Sequence, residues 1–326
     1  MSVEMGLPRP ALRLLARRHK KEPLGEPLLT LGRQGVLATF DEARALVAEE
    51  GLPPASLPAG MDVRTNIPSW RGTWNERHTS DVAFFALLGL RDVKALDCSD
   101  YEKPDVVFDL NAPVPEELRG RFATILDGGT LEHVFDVKQA LTNLSLMLKP
   151  GGTVIHILPV NNQVGHGFYQ FSPTLFFDYY KANGFSALEG LLIDETRGVG
   201  AWDVYEVPET SYARLPQLVS ETRLHLVFSA RKTEGATAGR APSQARYETE
   251  HAGEGVRSGT APRGRRVPAA VESFLRRFVL AYDPSNRLPL CARESLIRWV
   301  PGFDKQKAAW RAQSRPWGLK RLARLH

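Results

Sequence analysis

The chain of 326 residues is 43% hydrophobic and 24% charged, the balance of an ordinary soluble globular protein of one or two domains. Its two cysteines, Cys98 and Cys291, lie far apart without CxxC or Cys/His spacing, which excludes a disulfide scaffold, argues against a metal site and fits a reducing, cytoplasmic compartment. The longest apolar run, Val82 to Leu90, is too short for a bilayer core of roughly 30 Å, and residues 1–21 lack the continuous apolar segment of a secretory leader.

The net charge of +5 is unevenly spread. Residues 1–21 carry six Lys/Arg against one Glu, and residues 301–326 carry seven against one Asp, so residues 22–300 are net acidic. The expectation is a body between two solvated basic ends, which are free to contact anionic surfaces. No RNA-binding aromatic motif or zinc-finger spacing accompanies them, so no nucleic-acid partner is expected.

Leu28 to Leu31 reads as a short strand ending in Gly32-Arg33-Gln34-Gly35, and Thr39 caps a helix running to Glu50. After an irregular Pro-rich stretch, Ser80 to Leu90 is a helix, Val93 to Leu96 a strand stopping at Asp97, and Val106 to Phe108 a strand stopping at Asp109. Phe122 to Leu126 is the next strand, ending at Asp127-Gly128-Gly129. Val137 to Leu148 is a helix closed by Lys149-Pro150-Gly151-Gly152, and Thr153 to Leu158 is a strand. Ser172-Pro173 starts a helix stopped by Gly184, and Leu188 to Ile193 and Leu224 to Ser229 complete seven strands. Alternating strands and helices predict an α/β fold with a doubly wound, mostly parallel seven-stranded sheet. The expected boundaries are a basic N-terminal tail at 1–21, an α/β domain at 22–232, a disordered linker at 233–268 rich in Gly, Ala, Pro, Ser and charge, and a short helix with a basic C-terminal tail at 269–326.

In such a sheet, ligands bind beyond the carboxyl ends of the strands, where the winding direction reverses. Four successive strand ends present Gly32, Asp97, Asp109 and Asp127, and a carboxylate there can accept hydrogen bonds from a ribose diol. The segment Asp127-Gly-Gly-Thr-Leu-Glu-His133-Val, with the later Leu148-Lys-Pro-Gly-Gly-Thr-Val-Ile-His156, resembles the class I S-adenosylmethionine-dependent methyltransferases over roughly residues 24–232. The resemblance implies a Rossmann-like methyltransferase fold with S-adenosylmethionine as cofactor. Asp97 would hold the ribose hydroxyls, Asp109 and Leu110 would flank the adenine, and Asp127 with Gly128 would line the methionine end. The first loop would be Gly32, Arg33 and Gln34. It departs from the family's glycine-rich pattern, and 65 residues separate Gly32 from Asp97.

Residues 51–80, with Trp70, Arg71, Trp74, Arg77 and His78, read as an inserted loop able to close over the site as a lid. The stretch from Pro159 to Ser172 supplies candidate acceptor-binding residues Asn161, Asn162, His166 and Tyr169. Because an unperturbed imidazole titrates near neutral pH, His133 and His166 are the candidate catalytic bases. Glu132 and Asp136 read as ordinary first-turn acids of the following helix. The expected activity is methylation of a small-molecule or sugar-like acceptor. A methyltransferase-like scaffold without catalysis is the alternative, and a nicotinamide-dependent oxidoreductase ranks last because GxGxxG is missing.

Overall fold

A computed structural model describes residues 6–65, 67–70, 72–195, 200–210, 212, 220, 222–247 and 321–325. In chain order its elements are β1 (Leu7–Pro8), α1 (Arg9–Lys21), β2 (Leu28–Leu31), β3 (Val36–Leu37), α2 (Phe40–Glu49), α3 (Asp81–Leu87), β4 (Val93–Asp97), β5 (Val106–Val107), β6 (Phe122–Asp127), α4 (Val137–Met147), β7 (Leu148–Asn161), α5 (Pro173–Ala182), β8 (Ser186–Asp194), β9 (Trp202–Val207), β10 (Leu224–Arg231) and β11 (Arg321–Leu325). Helix starts follow from local chemistry. Thr39 and Glu42 form a reciprocal capping box on α2, and Ser80 and Ser172 cap α3 and α5. Past α5, Gly184 takes up a φ of +75°, which a side chain would resist.

The main sheet has nine strands in the order β11-β9-β8-β10-β7-β6-β2-β4-β5. The pairings from β5 to β7 are all parallel, and β10 and β9 run against their neighbours, so the sheet is mostly parallel. The seven expected strands are all present. The additions are β9, whose Trp-Asp-Val-Tyr-Glu-Val alternation was the available signal, and β11 in this sheet, with β1 and β3 paired in parallel as a separate two-stranded sheet. Winding starts at β2, proceeds outward through β4 and β5, and returns across β2 to β6, so the reversal lies between β2 and β6. Neighbouring residues of one strand face opposite sides. Leu126, Ile155 and Ile157 meet α1, α2 and α3 on one face, and His156 lies with Phe176 and Tyr180 of α5 on the other.

Four expected features change. The N-terminal residues are not a solvated tail: Pro10, Ala11, Leu12, Leu15 and Ala16 of α1 are buried in the core, an apolar stripe that the surrounding arginines disguise. Those arginines are spoken for. Arg13 bonds Glu49 at 2.5 Å and Glu50 at 2.8 Å, and Arg17 bonds Glu50 at 2.5 Å, clamping α1 to the end of α2. The 51–80 stretch is fastened rather than lid-like. Trp70 is buried against Gly35, where a β-carbon would stand 2.6 Å from the indole, and Thr79 N–H donates to Ala38 O at 2.9 Å. Arg71 and the Trp74 side chain lie outside the described residues.

The first part of the expected linker is also ordered. Asn183 is buried and its side-chain amide accepts from Arg240 N–H at 3.0 Å and donates to Arg240 O at 2.9 Å, while Thr237 N–H bonds Asn183 O. Such a segment needs no apolar pattern, because backbone hydrogen bonds to a buried amide hold it. Residues 248–268 of the linker, the expected helix from Ala269 to Asp283 and the basic stretch up to residue 320 lie outside the described residues. Residues 321–325 form β11 on the edge of the sheet rather than a free tail, and Arg324 pairs with Asp203 at 2.9 Å.

Burial pushes the Glu50 carboxyl up, but its bonds to Arg17 and Arg13 outweigh that and hold it below its ordinary value of 4.5. A carboxylate so depressed contributes stability above its unfolded pKa and loses it as pH falls through the folded one. Glu50→Gln is therefore expected to destabilise the protein at pH 7 by about 1.5–3 kcal/mol, and the gap from wild type should close as the pH is lowered below about 4. Thermal melts of both proteins across pH 3–8 check this.

Candidate functional site

The ends of β2, β4 and β6 form the floor of the candidate site. Gly32, just past β2, has a φ of +70°, donates its N–H to Leu96 O at 2.7 Å, and faces Asp97 Oδ2 and Thr130 Oγ1 at 3.9 and 3.7 Å from where a β-carbon would stand. Asp97 spends one oxygen locally: Oδ1 accepts from Ser99 N–H at 2.9 Å and Ser99 Oγ at 3.3 Å. Its Oδ2 accepts no N–H or O–H of the described residues and borders the bare backbone of Gly32. Nearby, the Glu102 carboxyl is pushed up by burial and by the charges of Asp97 and Asp81, so the loop after β2 sits in a negative field.

The rest of the first loop turns inward. Arg33 donates to Lys103 O and to Asp105 Oδ2, both at 3.0 Å, and pins the chain between β4 and β5. Gln34 is buried: its N–H donates to Asp81 Oδ2 at 3.1 Å and its side-chain amide to Leu31 O at 2.7 Å. The Gln34 Oε1 atom occupies the space beside Gly128, 2.0 Å from where a β-carbon would stand. Gly128 therefore makes room for Gln34, and the place expected for a ligand at the reversal point is filled by an amide. Asp109 is exposed and closes a turn with Asn111, accepting from its N–H at 2.9 Å and its Nδ2 at 2.8 Å, while the neighbouring Leu110 is buried. Those bonds hold the Asp109 carboxyl below its usual value.

Asp127, expected to line the methionine end, is fully buried and spent on the protein. Its Oδ1 accepts from Thr130 N–H at 3.0 Å and Leu131 N–H at 3.3 Å, and its Oδ2 bonds His156 Nδ1 at 2.8 Å. His156 Nε2 in turn bonds Tyr180 Oη at 2.7 Å. Burial raises the Tyr180 phenol well above its ordinary value, so it keeps its proton and donates to Nε2, which leaves Nδ1 as the donor to Asp127. The chain Asp127, His156, Tyr180 joins β6 to β7 and α5.

The turn capped by Asp127 delivers Glu132, which no sequence signal singled out as more than a first-turn acid. Its side chain is fully buried, both carboxyl oxygens lack hydrogen-bond partners among the described residues, and Oε1 lies 3.6 Å from His166 Nε2 and 4.0 Å from His133 Nε2. The two imidazoles meet edge to face at 4.9 Å. His133 and His166, 33 residues apart in the chain, are thus brought together with a carboxyl between them. The 163–171 loop achieves this by wrapping the backbone of Glu132: Phe168 and Tyr169 N–H groups donate to Glu132 O at 2.8 and 3.2 Å, and a β-carbon on Gly167 would stand 2.8 Å from that oxygen. Gly167 was the available sign of close packing; Gly165, on the other side of His166, has open space beside it and a φ of +81°.

Burial, with the Asp127 charge adding to it, pushes Glu132 up to about 8. Burial lowers both histidines, and for His166 the charges of His133, His225 and Arg223 lower it further. At neutral pH the cluster therefore holds a protonated carboxyl and two neutral imidazoles, a set able to accept or donate a proton. The amides expected to meet an acceptor do other work. Asn161 Oδ1 accepts from Leu224 N–H at 3.0 Å, and Asn162 Nδ2 donates to Ser220 O and Thr222 O at 2.8 and 2.6 Å. Tyr169 Oη donates to Phe135 O at 2.8 Å. Beside this loop, Phe135, Leu141, Tyr169, Phe171, Leu175 and Tyr179 line a largely apolar cavity of about 580 Å³, and Phe135 and Phe168 stay exposed at its rim-side contact.

No protein-family model matches the chain, and no curated protein does. Among solved structures, it is similar to a Burkholderia thailandensis 1,6-didemethyltoxoflavin-N1-methyltransferase with bound 1,6-didemethyltoxoflavin and S-adenosylhomocysteine, at 15% identity over 69% of this chain and 79% of that one, with a TM-score of 0.34. A Thermotoga maritima S-adenosylmethionine-dependent methyltransferase, described as a possible histamine N-methyltransferase, is similar at 16% identity over 68% and 89% of the two chains, with a TM-score of 0.33. A Haemonchus contortus phosphoethanolamine N-methyltransferase is similar at 13% identity over 68% of this chain and 52% of that one, also at 0.33. Likeness at this level transfers neither activity nor site residues.

Because Asp127 serves the fold, Asp127→Ala is expected to lower stability by about 3 kcal/mol or more, the combined effect of losing charge-assisted bonds in a buried setting. Urea unfolding measures it; a variant as stable as wild type would return Asp127 to the list of ligand-facing residues.

Proposed function

We propose that the chain is an S-adenosylmethionine-dependent methyltransferase acting on a small-molecule acceptor. The observation that carries this reading is Asp97, whose Oδ2 accepts no N–H or O–H of the described residues, beside Gly32 with no side chain to bar approach, at the carboxyl ends of a doubly wound sheet. A ribose diol needs such an acceptor, and a glycine in the left-handed region lets a ligand approach the main chain. Asp97 is assigned to the ribose, Gly32 to backbone approach, and Asp109 with Leu110 to the flanks of the adenine. The carboxylates of Asp97 and Asp81 favour a cationic cofactor.

The bound cofactor supplies the electrophilic methyl group, so the protein has only to align the acceptor, exclude water and take up a proton. Neutral His133 and His166 are assigned to that proton, and Phe135, Phe168 and Tyr169 to the apolar wall that shields the acceptor. A binding module without catalysis is the competing reading, favoured by Gln34 filling the space at Gly128.

Calorimetry with S-adenosylhomocysteine and with NAD separates the readings at the level of binding. Wild type is expected to bind the former and not the latter, and Asp97→Ala to weaken binding about ten- to a hundred-fold, the loss of one charge-assisted acceptor. No binding by wild type, or unchanged binding by Asp97→Ala, refutes the assignment. Once an acceptor is in hand, His166→Ala should cut turnover while leaving S-adenosylhomocysteine affinity within about two-fold; retained turnover assigns the proton elsewhere, and no turnover by wild type favours the binding module.

A further inference from the structure

We infer that Glu132, His133 and His166 form a binding site for one divalent first-row transition-metal ion, with Zn²⁺ as the representative. Two imidazole nitrogens and a carboxylate oxygen are a donor set for such ions and leave coordination positions open. The ligand atoms all lie within 4.8 Å of one another. Around a four-coordinate ion at about 2.1 Å, adjacent ligand atoms stand roughly 3.4 Å apart. The pair Glu132 Oε1 and His166 Nε2, at 3.6 Å, is already close to that, and half-exposed His133 has room to swing in.

The independent sign of a ligand is what is missing around these atoms. Glu132 Oε1, Glu132 Oε2 and His166 Nε2 are buried and have no hydrogen-bond partner among the described residues. Three buried polar atoms that converge without a hydrogen-bond partner leave a gap in the polar accounting that a cation fills, displacing the carboxyl proton and meeting the ligand atoms at once. The scaffold is also built in advance. Asp127 caps the turn from which Glu132 projects, and the hydrogen bonds of Phe168 and Tyr169 to Glu132 O fix the register of His166 against it. The Glu132 backbone thereby holds two ligands of the site at once.

Metal binding stands on this cluster alone. With the ion bound, the imidazole lone pairs of His133 and His166 are taken up, so the loaded cluster and the proton-accepting cluster of the transferase reading are alternative states; use of the open positions by an oxygen or nitrogen of the acceptor rests on that reading.

The test is calorimetric titration of the full chain, after chelator dialysis, with ZnCl₂, together with the visible absorption of the protein loaded with Co²⁺. One equivalent per chain is expected, with affinity reduced at least ten-fold in each of Glu132→Gln, His133→Ala and His166→Ala. His133 is half-exposed, so its variant keeps the test usable even where Glu132→Gln fails to fold. Absence of stoichiometric binding in wild type, or binding retained in the His133→Ala and His166→Ala variants, overturns the site. S-adenosylhomocysteine affinity, measured on the same metal-free samples, reports on the cofactor assignment separately.

Discussion

The architecture of the site hangs on the buried carboxylate of Asp127. One oxygen closes the turn at Thr130 and Leu131, and the other grips His156, which is tied to Tyr180. A carboxylate taken wholly out of water is tolerated only when its lone pairs are met, and here donors on both sides meet them. The consequence is geometric. With β6, β7 and α5 locked at this point, the chain after Asp127 must fold back over the sheet edge, and Glu132 is driven into the interior. Its own carbonyl then serves as the anchor for the loop bearing His166.

The two halves of the site are therefore unlike in character. On the β4 side, Asp97 keeps an oxygen that accepts no N–H or O–H of the described residues, and Gly32 beside it carries no side chain. On the β6 and β7 side, burial sets the protonation, with a fully buried carboxyl pushed up to about 8 between two partly buried imidazoles pushed down. Aromatic rings at Phe135, Phe168, Tyr169 and Phe171 contact one another beside this cluster, and Phe135, Tyr169 and Phe171 line the neighbouring cavity.

Much of the framework was legible because strands and caps obey short-range rules: period-two apolar runs, Thr39 with Glu42, and Ser172-Pro173 before a helix stopped at Gly184. Positions at strand ends followed from these, so Gly32, Asp97 and Asp109 emerge at the expected edge. Side-chain direction did not follow. Arg33, Gln34, Asp127, Asn161 and Asn162 are polar residues at that same edge, yet each bonds the protein's own backbone or carboxylates, a choice set by three-dimensional neighbours absent from any local window. Charge misled at α1, where six basic residues masked a buried stripe whose cations are answered by acids on a helix some thirty residues away. Glu132 escaped notice for the opposite reason: an acid before a helix has an ordinary explanation, and only tertiary packing turns it inward.

The pairing of β11 with β9 bears on how the sheet is assembled in time. Arg324 and Asp203 are 121 positions apart. Closing so long a loop adds only modest entropy, which grows as the logarithm of its length, but the search for the contact makes it slow beside the local pairings of β7, β8 and β10. During that interval β9 is an edge with unpaired amides and carbonyls, the kind of template on which a second nascent chain can add a strand. Docking of residues 321–325 covers that edge and moves the end of the sheet to β11, a strand of only five residues, and short edge strands limit further strand addition.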